Sequence, residues 1–193
     1  MSEVLLPFAD ANVAAGAVAA TQRWLERAVI GLNLCPFAKA VHVKRQIRYA
    51  VTAATTVDEL LAELRHEIDL LAAANPEAID TTLLIHPRAM TDFIDFAFFL
   101  KKADALLRNL GHEGSLQIAS FHPAYEFAGS AGDDIANFTN RSPYPMLHLL
   151  REASVDRAVA AFPDAAAIYE RNIETLRRLG HDGWRGLWPP DAD

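Results

Sequence analysis

Thr81-Thr82-Leu83-Leu84-Ile85-His86-Pro87 is a short apolar run that ends in histidine and proline, and Leu116-Gln117-Ile118-Ala119-Ser120-Phe121-His122-Pro123 ends the same way. Runs of this length bounded by polar and proline signals read as strands. Proline pushes the preceding residue toward extended geometry, so each histidine is expected to be the last extended residue of its strand. Between the two runs, Thr91 is placed to cap a helix with Asp92 and Asp95 in its first turn, where carboxylates suit the helix dipole. Phe93, Phe96, Leu100, Ala103, Leu107 and Leu110 supply its buried stripe, and Gly111 closes it.

Upstream, Thr56-Val57-Asp58-Glu59 has the form of a capping box. The helix it opens carries Val57, Leu60, Leu61, Leu64, Ile68 and Leu71 at helical spacing. Before it, Ile47, Tyr49 and Val51 alternate within 46–53, the pattern of a half-buried strand. The order strand, helix, strand, helix, strand predicts an α/β fold with a small, mostly parallel sheet of three to four strands. It has a βαβαβ core and additional N- and C-terminal helices. A ferredoxin-like α+β arrangement is the alternative, and it needs a fourth strand. An Ala-rich helix is expected over 13–34, ended by Pro36. Two more are expected near 144–161 and 164–179, the first opened by Ser142-Pro143 and the second stopped by Gly180.

The chain has 193 residues, enough for a single globular domain over 1–193, and 51% are hydrophobic, enough for a core without disulfides. Net charge is -7 and the 18 basic residues are scattered, which argues against a nucleic-acid footprint. A small anionic molecule held by one or two local cations is compatible with that balance. The single cysteine rules out an intramolecular disulfide and suits a reducing compartment. No apolar run approaches a membrane span, and the first ten residues lack the basic region of a signal peptide, so a cytoplasmic location is expected.

In open α/β sheets, ligands bind beyond the carboxyl ends of strands, and a parallel sheet brings His86 and His122 to one rim. The segment 129–145 is long, rich in glycine and proline, and without clear core periodicity. In it, Arg141 offers a planar donor fork suited to carboxylate or phosphate. Asn137 and Asn140 add neutral donors and acceptors, and Asp133 and Asp134 are candidate proton acceptors or metal ligands. The bland reading is a loop stitched by Asn and Asp turns. On the expected helix after Pro143, His148, Arg151 and Glu152 would share a face, either as an acid–base and anion-binding edge or as a solvated charged one. Cys35 becomes a reactive thiolate only if Pro36 starts a helix; most lone cysteines are small buried hydrophobes.

Leu34-Cys35-Pro36-Phe37-Ala38, Asp92-Phe93-x-Asp95-Phe96, Ser120-Phe121-His122-Pro123 and Asn140-Arg141-Ser142-Pro143-Tyr144-Pro145, with His148-Leu149-Leu150-Arg151-Glu152, together resemble a bacterial family, the domain of unknown function numbered 1415. The likeness runs from about residue 24 to 152. It implies a stand-alone protein of about this length and assigns no activity.

Three functions compete. The first is a small-molecule enzyme acting on an anionic metabolite, with His122 and His86 as acid–base groups and Cys35 as a further catalytic candidate. Arg141, Asn140, Asn137, His148 and Arg151 would bind its substrate. The second is a metal-dependent enzyme or metal-binding protein using His86, His122 and His148, although no close histidine pair gives a metal motif. The third is a non-catalytic binding or assembly module that exposes the aromatics of 121–145 and the tail Trp184–Trp188. No dinucleotide fingerprint, phosphate loop or nucleophile elbow is present, so the cofactor is left open.

Overall fold

A computed structural model describes residues 11–160 and 167–188. The helices are α1 (Ala11–Trp24), continued by a π-helical turn over Leu25–Ile30, α2 (Ala38–Val43), α3 (Val57–Ala73), α4 (Phe93–Asn109), α5 (Glu152–Ala160) and α6 (Ile168–Gly186). The strands are β1 (Ile47–Val51), β2 (Thr81–Ile85), β3 (Leu116–Phe121) and β4 (Met146–Arg151), and a 3-10 turn spans Ile135–Thr139.

The strands form one sheet in the order β1-β2-β4-β3. β1 and β2 pair in parallel, while β4 pairs antiparallel with both β2 and β3. The fold is therefore α/β in the broad sense, but its sheet is mixed and mostly antiparallel, which corrects the expected mostly parallel sheet. The difference lies in residues 146–151. Met146, Leu147, Leu149 and Leu150 form a nearly continuous apolar run, which in a strand buried on both faces cannot be distinguished by periodicity from a helix segment. The expected helix at 144–161 is thus a strand followed by the short α5. The expected helix start at 164 lies outside the described residues. Gly180, with φ 65 and ψ 175, breaks the helical path as expected; a second helical stretch follows across the kink, and the two together make up α6. The ferredoxin-like alternative gains its fourth strand but not its connectivity, because the chain runs β-α-β-α-β-β with a parallel pair.

Two layers of helix cover the sheet. Leu60, Leu64, Ile68 and Leu71 of α3 and Phe96, Phe99 and Ala103 of α4 pack on one face with Leu84, Leu147 and Leu149. Ala14, Ala17, Val18 and Trp24 cover the other face with Leu83, Ile85 and Met146. The capping box of α3 forms as expected, with the Thr56 side chain and the Glu59 side chain each accepting from the other's backbone N–H. On α4, Asp92 rather than Thr91 is the cap, accepting from the N–H groups of Ile94 and Asp95. A buried ion pair ties α3 to β1: the Arg48 guanidinium donates to both Glu67 carboxylate oxygens at 2.7 and 2.9 Å.

Because β4 runs against its neighbours, β1, β2 and β3 all point the same way. Their carboxyl ends share a rim with the start of β4. There the His86 N–H donates to the Pro145 carbonyl and the His122 N–H to the Asn140 carbonyl.

Candidate functional site

The rim has a closed side and an open side. His86 and His122 follow Ile85 and Phe121 by one residue, so both side chains point to the α4 face. They flank the Phe96 ring, with centroids 5.7 Å and 5.2 Å away, and Phe93 lies 5.4 Å from His122. His86 is 0% exposed and His122 1%. The expected shared rim is therefore present, although β4 separates the two strands.

Both imidazoles grip the turn that leaves β2. His86 Nδ1 is 2.9 Å from the Ala89 carbonyl, so it carries the proton and donates. His122 Nδ1 accepts from the Ala124 N–H, which leaves its Nε2–H to donate to the Met90 carbonyl at 3.2 Å. Met90 has φ 52, a left-handed conformation that non-glycine residues rarely adopt. The two histidines hold the carbonyls of the turn that requires it. Burial lowers both pKa values, that of His86 to about 4, so both rings are neutral at pH 7. One atom remains unengaged: His86 Nε2 is buried without a hydrogen-bond partner.

His148 is not with them. It lies on β4 opposite Leu83, on the α1 face, with Phe121 at 6.2 Å. The Thr81 hydroxyl donates to the Leu149 carbonyl and accepts from His148 Nε2 at 2.6 Å. The three histidines therefore do not converge on a point, and among the described residues no three His, Cys, Asp or Glu side chains are arranged to hold a metal ion. Arg151 sits at the far end of β4, where its guanidinium donates to the carbonyls of Leu71, Ala74 and Ile79 and caps the C-terminus of α3. His148, Arg151 and Glu152 thus share no helix face, because two of them are strand residues.

The loop residues divide in the same way. Asn137 is fully buried; its carbonyl accepts from the Phe127 N–H and the Ser130 hydroxyl, and its amide donates to Ala131. Asn140 donates to the Ser120 carbonyl, extending the hold on β3. Asp134 caps the 3-10 turn, and Asp133 is exposed. Arg141 donates through Nε to the Tyr125 carbonyl and through Nη2 to the Gly132 carbonyl, and its guanidinium stacks 4.2 Å from the Phe138 ring. It ties down its own loop, but not with all of its donors. Cys35 is half-buried and packed against the α1 face, and burial pushes its thiol pKa up, away from thiolate chemistry.

The open side lies on the α1 face. A cleft of about 480 Å³ is lined by Ala20, Arg23, Trp24, Arg27, Pro123, Phe138, Arg141, Ser142, Pro143, Trp184 and Trp188. The chain contains three tryptophans, and all three are in this set. So are three arginines, with no carboxylate. Spacing explains part of this: Arg23 at the end of α1 and Arg27 in the π-helical turn that continues it are four residues apart, one turn along the same helical path. The Trp24 indole N–H donates to the Arg141 carbonyl at 2.8 Å, fixing the 140–143 segment to the helix. Arg27 donates to the Leu187 carbonyl, and Trp184 packs edge-on to Phe138 at 5.1 Å. Of these lining residues, Arg141 was a ligand-binding candidate from the sequence, and Phe138, Trp184 and Trp188 belonged to the aromatic surface of the binding-module reading. Arg23 and Arg27 showed no signal beyond an i,i+4 pair on an amphipathic helix. A smaller hollow of about 210 Å³ lies between Leu32–Pro36 and α6, but a carboxylate, Glu174, is among its lining residues with Arg171 and Arg178.

No curated protein and no solved structure matches the chain significantly. One family model does, described as a protein of unknown function and numbered 1415, over residues 16–186. The matched span covers nearly the whole chain, including both strand-ending histidines, the loop of Arg141 and the cleft up to Trp184. This protein therefore belongs to the family of unknown function 1415.

Proposed function

We propose that this protein binds a small anionic molecule in the cleft between α1, the 138–143 segment and the end of α6. The observation that carries the reading is the lining: Arg23, Arg27 and Arg141 converge on one concavity with no carboxylate among the lining residues, in a chain whose net charge is -7. The three guanidinium groups repel one another, offset in part by Glu126 near Arg141, and an anion relieves the remaining repulsion while accepting their hydrogen bonds. The cleft volume falls within the range of small-molecule sites, roughly 300–1,000 Å³. Arg23 and Arg27 are exposed, so an incoming ligand meets them first.

The test is thermal stability at low ionic strength with sulfate, inorganic phosphate, pyrophosphate, citrate and acetate. At least one multivalent anion is expected to raise the Tm of the wild type by a few degrees, and the rise is lost in Arg23→Ala/Arg27→Ala. No anion-dependent rise in the wild type, or an equal rise in the double variant, overturns the reading.

A second reading keeps the acid–base chemistry expected of the histidines. The unengaged, buried His86 Nε2 beside His122 favours it, since its lone pair is free to accept from a substrate while Nδ1–H is held by the Ala89 carbonyl. In that reading, the 86–91 turn opens to admit the substrate, and His86→Asn abolishes turnover while leaving anion binding in the cleft intact.

A further inference from the structure

Resting on the cleft reading above, we infer that the ligand is an organic phosphate that carries a planar aromatic ring, stacked against the tryptophans with its phosphoryl group among Arg23, Arg27 and Arg141. Two independent features of the cleft point to the two halves of such a molecule.

The first is the aromatic lining. Trp24 sits on α1, Trp184 on α6 and Trp188 just beyond it, yet the fold brings the chain's whole tryptophan complement to one concavity. Trp24 is 3% exposed and its N–H is already used, so it presents only an edge of indole. Trp184 and Trp188 are half-buried and stand 5.9 Å apart at an interplanar angle of 67°. Pro123, Phe138 and Pro143 complete an apolar surround. Flat indole and proline surfaces beside cations take a π-system better than an aliphatic chain, because stacking adds to the burial of apolar area.

The second is the charge. A single carboxylate needs one guanidinium fork, whereas three arginines match a group with two negative charges and three oxygens. Arg141 is already half engaged with loop carbonyls, so its remaining donors are held in place before the ligand arrives. The bond from Arg27 to the Leu187 carbonyl holds the stretch after the Gly180 kink beside α1, so Trp184 and Trp188 line the same hollow as Arg23 and Arg27.

The test is calorimetric titration of the wild type with phenyl phosphate and AMP, each set against its halves, inorganic phosphate and adenosine, and against phenylacetate. Tryptophan fluorescence is read in parallel; since every tryptophan lines the cleft, the signal reports on that site. Phenyl phosphate or AMP is expected to bind about tenfold or more tighter than inorganic phosphate and to quench the fluorescence. Trp188→Ala is expected to remove that excess and leave phosphate binding unchanged; Trp188→Leu serves the same purpose if the alanine variant is misfolded by circular dichroism. Ring-bearing phosphates that bind no better than inorganic phosphate overturn the aromatic inference while the anion reading stands. Phenylacetate binding as tightly as phenyl phosphate overturns the phosphoryl half. If none of these anions binds and the thermal panel is also flat, both readings fail together.

Discussion

The two sides of one sheet rim make opposite use of polar residues. On the α4 side, His86 and His122 are sealed among Phe93 and Phe96, neutral, and spend their protons on the carbonyls of a strained turn. On the α1 side, three arginines line an open cleft beside three tryptophans. The residues whose chemistry looks most like catalysis are the more enclosed, and those that look like ordinary helix-surface cations border the cavity. A histidine that ends a strand before a proline is well placed to hold the next turn, and once buried it is stabilised as a neutral hydrogen-bonding group. An arginine on a helix costs little wherever it points, so its meaning depends on what the fold sets opposite it.

The sharpest way to break this contrast is to open the closed side. Phe96→Ala removes a fully buried ring from between the two imidazoles and is expected to cost about 3–5 kcal/mol of unfolding free energy, measured by urea denaturation. A loss under about 1 kcal/mol would show that this side is not the packed layer described.

The second test uses pH. With a folded-state pKa of about 4 and an unfolded value near 6.5, His86 favours folding fully above about pH 6.5. The unfolded chain takes up the proton first, so this contribution falls away as pH drops from 6.5 toward 4. The contribution of His86 is expected to fall by on the order of 2 kcal/mol between pH 7 and pH 5, and that of His148, which burial also lowers to about 4, adds to the slope. The slope should be smaller in His86→Asn. Sulfate binding in the cleft, which no histidine lines, should hold nearly constant over the same interval. A flat stability profile would mean that His86 is not held neutral by burial.

The smallest effect separates two arginines. Arg151→Ala, which uncaps α3, is expected to lose about 1–3 kcal/mol with anion binding unchanged. Arg23→Ala is expected to stay within about 0.5 kcal/mol of wild type in stability while weakening anion binding. An exchange of these phenotypes would invert the assignment of the two residues.

Much of this fold was legible along the chain. The capping box at Thr56, the stripes of α3 and α4, and strands β1, β2 and β3 follow from local rules of periodicity and capping that operate within a few residues. The two histidines reach a common rim for the same local reason, the proline after each. β4 was not legible, because a strand that is paired on both edges and covered on both faces loses the alternation that marks a strand. With β4 went the positions of His148 and Arg151, which a helix would have placed on one face and a strand placed on opposite faces. The cleft was not legible either: Arg23 and Trp188 are 165 positions apart, and no spacing rule joins them.

The sequence by itself determined the α/β class, the family and the two rim histidines, because those depend on short-range patterns of apolar side chains, caps and prolines. Only the tertiary structure decided which polar side chains are enclosed and which face open space. Burial and hydrogen-bond satisfaction are properties of what packs opposite a residue, and here the antiparallel insertion of β4 and the kink at Gly180 set those partners.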